Sequence, residues 1–399
     1  MKYAVVLGDG MADEPIEAFG GLTPLEYADT PTLDALAIHS EIGMAATIPK
    51  GMTPGSDTAN LAVLGYNPRL YYTGRSPLEA LSIGVDLDED DIAIRCNIVT
   101  VSDDDKPYEE KTIIDHSSGE ITTAEAAELI GALKNEFEDD IYKFYVGTSY
   151  RHLTIWKGGR VVELTPPHDV LGRVIGQYLP ENDKLREFMK RSYDILNNHP
   201  VNLRRAERGL NKANSMWFWG AGTKPALDSF EGKYGKKGAM ISAVDLLKGI
   251  GVGTGMTNII VPGADGTLET NYEGKADAAV KALLEDGFDY VYVHLEAPDE
   301  MGHQGNVENK VKAIEYLDSR VLKRIYEKLE ASGEDYKILV MPDHPTPVRV
   351  RTHTPDPIPY MIYDSTVHID KDHRYCEKDA KASGNKFENG YELMGYFLS

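Results

Sequence analysis

The chain has 399 residues, 42% apolar and 27% charged, enough for a sizeable buried core, and at about 150 residues per domain it suggests two domains. Its 42 Lys and Arg against 64 Asp and Glu leave a formal net charge of −22, which repels a phosphate backbone and excludes general nucleic-acid binding; any anionic ligand must meet locally concentrated cations. Cys96 and Cys376 form no CxxC pair, Met1-Lys2 leads into no secretory apolar core, and no run of about 18 apolar residues occurs, so a cytoplasmic protein without disulfides or a spanning helix is expected.

The first predicted strand, Tyr3–Leu7, is a continuous apolar run ending at Gly8-Asp9-Gly10. Continuous apolarity, rather than alternation, predicts a strand buried on both faces, as in a parallel sheet covered by helices. Next comes Pro54-Gly55-Ser56, where Ser56 opens an apolar-periodic helix. There a serine serves equally as a helix cap and as an oxygen nucleophile placed among free backbone N–H groups.

A Gly- and Pro-punctuated stretch through Gly74-Arg75-Ser76-Pro77 precedes the acidic run Asp86–Asp91. This change of character predicts an inserted domain over 77–220, dividing the outer domain into 1–76 and 221–399. Inside it, Ile92–Val101, Lys143–Val146 and His152–Lys157 read as strands and Thr122–Phe137 as an amphipathic helix. His116 follows a strand in Asp115-His116-Ser117, and Arg151-His152 is a comparable pair; either imidazole suits proton transfer near neutral pH. Arg204, Arg205 and Arg208 cluster in an otherwise acidic protein, and their guanidinium forks fit carboxylate or phosphate; Glu207 among them suits a solvated helix face equally well. Trp217, Trp219 and the glycines after them read as core packing, and His39, His168 and His199 have no ligand spacing.

Beyond the insertion, the Gly-rich run 249–255 does not fit G-x-G-x-x-G and reads as a flexible turn; no P-loop is present. A helical stretch, Lys275–Glu285, leads into the strand Tyr290–Leu295, which runs into Glu296-Ala-Pro-Asp299. Another helical stretch leads into Lys337–Met341 and Asp343-His344. Strand–helix–strand alternation predicts an α/β fold, and ligands in such sheets gather past the carboxyl ends of the strands. Asp9, Asp299 and Asp343 all lie there. Each alone is a common turn residue, but His303, His344 and His353 accompany them. Carboxylates and imidazoles without thiolates suit Mn²⁺ or Zn²⁺, and three Asp with three His suffice for two ions.

Asp9, Ser56, Asp299-x-x-x-His303, Asp343-His344 and His353-Thr-Pro together resemble the two-metal signature of the alkaline phosphatase superfamily. Within it, the segments ending at Asp13, Asn60, Pro77 and His303 resemble the archaeal-type cofactor-independent phosphoglycerate mutases, nearly along the whole chain and least in the insertion. The resemblance implies a three-layer phosphatase-like α/β domain with a mostly parallel sheet, interrupted by an α/β cap that binds the glycerate. It implies one ion on Asp9, Ser56, Asp343 and His344 and another on Asp299, His303 and His353, Mn²⁺ or Zn²⁺ rather than Mg²⁺, with no 2,3-bisphosphoglycerate. Ser56 would carry the phosphoryl group between 3-phosphoglycerate and 2-phosphoglycerate, His116 would move protons, and Lys275 would meet the transferring phosphate. Arg151, His152, Arg204, Arg205 and Arg208 are the substrate-binding candidates of the cap. The same metals and serine also suit a phosphomonoesterase, or a phosphotransferase with another acceptor such as the homoserine kinases proposed among related sequences.

Overall fold

The computed structural model describes all residues from Met1 to Ser399. It divides into two compact units, one formed by Met1–Tyr72 with Ala226–Ser399 and one by Thr73–Pro225. The sequence reading drew these limits at 77 and 220. The inserted unit begins where the Thr73 hydroxyl donates to the Thr223 carbonyl at 2.6 Å, joining its first residue to a residue near its end. Just inside that pair, a Cβ on Gly222 would lie 2.3 Å from the Thr73 carbonyl oxygen, so glycine is required where the two ends pass.

The first unit holds an eight-stranded sheet. From one edge the strands run Lys386–Phe387, Ser40–Ala45, Ile358–Asp364, Tyr336–Met341, Lys2–Gly8, Tyr290–Leu295, Gly238–Ile241 and Thr257–Asn258. Only Ile358–Asp364 runs antiparallel to its neighbours, so the sheet is mostly parallel. All six residues of Tyr290–Leu295 are buried, as continuous apolarity requires of a central strand. Val291, Val293 and Leu295 share a core with Ala4, Val6, Ile338, Val340 and the inner face of the helix Tyr272–Leu284. Alternation sends Tyr290, Tyr292 and His294 to the opposite face. There the Tyr292 hydroxyl hydrogen-bonds Asn60 of the helix Ser56–Val63. Helices thus cover both faces, and the second of them carries Ser56.

The Gly-rich run 249–255 is not a turn. Residues 249–253 complete the helix Asp245–Gly253, and only Gly255, at φ 69°, leaves helical conformation in the left-handed sense. A Cβ on Gly251 would lie 2.5 Å from Asn258 Oδ1 and 3.3 Å from Met240 Cβ, so this glycine lets the helix lie close on the sheet. No helix is long and apolar enough to cross a membrane.

The second unit is built on a five-stranded antiparallel arrangement centred on Ile92–Val101, all ten of whose residues are buried. Arg151–Trp156 pairs along one edge of this strand and Ser215–Thr223 along the other. Its core takes the apolar faces of the helices Thr123–Phe137 and Asp183–Leu196.

Candidate two-metal centre

Four parallel neighbours, Tyr336–Met341, Lys2–Gly8, Tyr290–Leu295 and Gly238–Ile241, end on the same side of the sheet, so the residues just beyond them meet. Asp9 leaves the first strand beside Gly10, whose N–H donates to Asp343 Oδ1 at 3.1 Å. Gly10 has φ 60°, and a Cβ there would lie 2.6 Å from Asp299 Oδ1. Glycine at this position therefore lets the three carboxylates approach one another.

His344 stands among them. Its Nε2 is 3.5 Å from Asp9 Oδ1, 3.4 Å from Asp343 Oδ2 and 3.1 Å from the Ser56 hydroxyl. Asp299 lies in the first turn of the helix Ala297–Gln304, so His303, one turn later on the same face, returns its Nε2 to 3.2 Å from Asp299 Oδ2. His353 Nε2 is 3.4 Å from Asp299 Oδ1 and 3.0 Å from His303 Nε2. The structure thus brings together all seven residues read from the sequence as metal ligands.

Two groups of three have ligand atoms mutually within 4.8 Å: Asp299, His344 and His353, and Asp9, His294 and Asp343. Here His344 groups with Asp299 and His353, whereas the resemblance assigned it to Asp9 and Asp343; its Nε2 lies close to both sets. His294 was not identified from the sequence. The signal that could have found it is a histidine inside a continuous apolar strand two residues before a glutamate.

Electrostatics suit the cluster to a cation. Burial, reinforced by the charges of Asp343 and Asp299, raises the Asp9 carboxyl well above its ordinary value. Burial acts in the same sense on Asp299, but hydrogen bonds from His303 and His353 outweigh it and hold that carboxyl low. The bond to Asp299 lifts His303 to about 9, while burial depresses His344. Asp9 Oδ1 and His294 Nε2 are buried without a hydrogen-bond partner. Such atoms are costly unless a ligand completes them.

Ser56 is the first residue of its helix. Gly55, not Ser56, occupies the capping position, so the expected cap role falls away and the hydroxyl faces His344. Asn60, one turn on, donates to the Ser56 carbonyl and to Asp343 Oδ2, both at 2.8 Å, tying the helix start to the aspartate.

Lys275 is fully buried, and its ammonium donates to the His294 carbonyl at 2.8 Å and to Glu296 Oε2 at 2.7 Å. It is therefore committed to Glu296 rather than held as an unpaired cation, in contrast to the role expected from the resemblance.

In the second unit, the expected basic cluster is paired with carboxylates of the helix Thr123–Phe137. Arg205 and Arg208 both pair with Glu125, at 2.7 and 3.0 Å, and Arg204 lies 3.5 Å from Glu128. Arg205 also donates to the Ser118 and Asn211 carbonyls and is buried, a structural arrangement. His152 is buried in the sheet, where desolvation depresses it to about 4, and its Nδ1 accepts from Gly147 N–H. Arg151 is exposed and stacks 5.1 Å from the Tyr150 ring. His116 meets the rings of Tyr150 and His168 edge-on.

A different basic group surrounds that histidine pair. Arg75 and Arg95 share one carboxylate, Glu79, at 3.0 and 2.9 Å. The Arg95 guanidinium lies 4.4 Å over Trp219, whose ring meets His168 edge-on at 5.4 Å. Burial lowers Arg95 to about 10, a guanidinium short of solvation. Arg75, Arg95 and His168 were not selected from the sequence as site residues, because they converge only in space; Arg95, embedded in an apolar strand, was the one local signal.

A family model described as 2,3-bisphosphoglycerate-independent phosphoglycerate mutase matches residues 37–202. The chain is 49% identical over 405 residues to the 2,3-bisphosphoglycerate-independent phosphoglycerate mutase of Methanosarcina barkeri, covering 100% of this chain and 99% of that one. With the enzyme of the same description from Methanosarcina mazei the identity is 50% over 404 residues, with 100% of each covered. Among solved structures, the cofactor-independent phosphoglycerate mutase of Thermoplasma acidophilum superposes with a TM-score of 0.66 at 27% identity, covering 100% of this chain and 99% of that chain. A protein from Pyrococcus horikoshii gives 0.81 at 29% identity, with 100% and 96% covered.

Proposed function

Since this chain belongs to the 2,3-bisphosphoglycerate-independent phosphoglycerate mutases, we propose that it interconverts 3-phosphoglycerate and 2-phosphoglycerate through a phosphoserine on Ser56. The enzyme is an isomerase that moves a phosphoryl group within its substrate. The observation that carries the serine assignment is the Ser56 hydroxyl 3.1 Å from His344 Nε2, beside three carboxylates.

Asp9, Asp299, His303, Asp343, His344 and His353 would hold two divalent ions, and their oxygen and nitrogen donors suit Mn²⁺ or Zn²⁺. Bound there, such ions supply charge neutralisation for the phosphoryl oxygens and favour an ionised serine. Ser56 Oγ attacks phosphorus as the bond to the glycerate 3-oxygen breaks. Glycerate then re-orients, and its 2-hydroxyl attacks the phosphoserine, returning the serine oxygen. The leaving and attacking hydroxyls need a proton donor and acceptor, a role assigned to His116. Water must be kept from the phosphoserine meanwhile, or the enzyme becomes a phosphatase.

For the glycerate carboxylate we assign Arg75, Arg95 and His168 in place of Arg204, Arg205 and Arg208. Arg95 is buried over Trp219 beside His168, whereas Arg205 is held by Glu125 and two backbone carbonyls and Arg204 and Arg208 are exposed.

The test is ³¹P NMR of 3-phosphoglycerate incubated with the metal-loaded enzyme. The 2-phosphoglycerate signal grows to equilibrium with inorganic phosphate at background; phosphate release without the isomer would make the protein a phosphomonoesterase.

A further inference from the structure

His294 is not among the six residues assigned above to hold the ions, yet it groups with Asp9 and Asp343, and its surroundings are built like those of a metal-binding histidine. It is fully buried at the end of the Tyr290–Leu295 strand, on the face that points to Asp9 and Asp343. Its Nδ1 is held from behind: Glu296 Oε1 and the Ser242 hydroxyl each stand 3.1 Å away. Glu296 is itself fixed by the Ala243 N–H at 3.0 Å, the Ser242 hydroxyl at 3.2 Å and the Lys275 ammonium at 2.7 Å.

The other ring nitrogen is in the opposite condition. Nε2 lies 3.1 Å from Asp9 Oδ2, but the contact is not aligned as a hydrogen bond, and both Nε2 and Asp9 Oδ1 are buried without a hydrogen-bond partner. A carboxylate behind Nδ1 selects the tautomer that carries its proton on Nδ1 and offers a lone pair on Nε2. Carboxylate behind, imidazole between, metal in front is the arrangement that orients metal-ligating histidines generally.

We propose that His294 Nε2 is a further protein ligand of the ion held by Asp9 and Asp343, and that Glu296, neutralised by Lys275, fixes the ring for that role. The inference rests on the two-metal reading above. It gives Lys275 a positioning function in place of direct contact with the transferring phosphate. It also explains why a lysine, a glutamate and a histidine are buried together below the site, where Lys and Glu are seldom found unless paired.

The experiment is ¹⁵N NMR of the metal-free full-length protein carrying labelled histidine, titrated with Zn²⁺, alongside calorimetric titration of Zn²⁺. The His294 signals are assigned with His294→Gln. The expected result is that His294 Nε2 takes on a zinc-bound shift, without an attached proton, as the ion binds, while Nδ1 keeps its proton. Calorimetry then shows one of two sites weakened roughly 10- to 100-fold in Glu296→Gln, the size usual for a partner behind a ligating histidine. An Nε2 that retains its proton in the zinc-loaded protein overturns the assignment while leaving two metal sites standing. A wild-type protein that binds no zinc overturns both. The decisive spectrum is of the wild-type chain, and the variants serve only for signal assignment and for the calorimetric comparison.

Discussion

Ser56 and His344, separated by 288 residues in the chain, place a hydroxyl and an imidazole nitrogen 3.1 Å apart. One comes from the first turn of a helix and the other from the residue after Asp343, and Asn60 ties the two segments together through Asp343 Oδ2. A hydroxyl at this place is expected to be the nucleophile. Ser56→Ala should lower mutase turnover by roughly 10⁴-fold or more, as removal of a nucleophile does elsewhere, with two metal ions per chain still present by elemental analysis. Turnover near the wild-type rate would remove Ser56 from the reaction.

Three aspartates facing one another, Asp9 and Asp343 buried and Asp299 half-buried, repel unless cations lie between them. Exhaustive chelation should therefore abolish activity, and Mn²⁺ or Zn²⁺ should restore it. Binding should also stabilise the fold, by about 2.7 kcal/mol at a free concentration 100 times Kd, read as a rise in Tm by calorimetry. An unchanged Tm with full activity in protein shown to be metal-free would contradict the site.

Asn60 donates to Asp343 Oδ2 while its own oxygen accepts from the Tyr292 hydroxyl. Asn60→Asp replaces the donor with a carboxylate oxygen set against another carboxylate. Its kcat/KM is expected to fall about 10- to 100-fold, the effect usual for groups that orient a metal ligand. Tyr292→Phe should cost less, on the order of 1–2 kcal/mol of stability from the lost partner. Equal activity in Asn60→Asp and wild type would show that this contact orients nothing.

The two basic clusters of the inserted unit give opposite expectations. Arg95→Gln should raise KM for 3-phosphoglycerate roughly 10- to 100-fold, the range of one or two hydrogen bonds to a charged group. Arg204→Ala and Arg208→Ala should leave KM within about twofold, since exposed pairs contribute little. Arg205→Ala should instead destabilise the unit by about 3 kcal/mol, since it strips a buried guanidinium from Glu125 and two carbonyls. Steady-state kinetics on all four, with melting curves, separate these outcomes.

Glu377 offers a stability effect away from the centre. It accepts hydrogen bonds from the Thr23 hydroxyl and the Asp13 N–H, and Lys310 lies nearby, paired to Asp13. Burial nevertheless raises its carboxyl from 4.5 to about 7. Between those values the native state holds a proton that the unfolded chain has lost, so this group's contribution to stability falls as pH rises through that window, by about 3 kcal/mol at most. Glu377→Gln should flatten that part of the pH profile of the urea midpoint. A variant profile parallel to the wild-type one from pH 4.5 to 7 would refute the shift.

Much of the site is readable from local order. Asp299 and His303 are one helical turn apart, Asp343-His344 adjoins the end of an apolar strand, and Ser56 follows Pro54-Gly55; each is a short-range pattern that chain geometry converts into position. The parallel sheet was equally visible, because strands buried on both faces must be apolar throughout. The Gly-rich run 249–255 misled because glycine's turn preference is a backbone tendency, whereas its use at Gly251 is to make room for Asn258 and Met240, which lie on other segments.

Charge is where local order stopped being informative. Arg204, Arg205 and Arg208 look like a free cationic patch along the chain, and Arg75 and Arg95 look unrelated; packing of the helix Thr123–Phe137 gives the former carboxylate partners, and Glu79 joins the latter. Lys275, Glu296 and His294 likewise became one buried chain only when strand and helix met. Covalent neighbours and periodicity dictate which face a residue occupies, and the amino-acid order carries both. An ion's partner and its solvation depend on distances between segments far apart in that order, which exist only once the chain has folded.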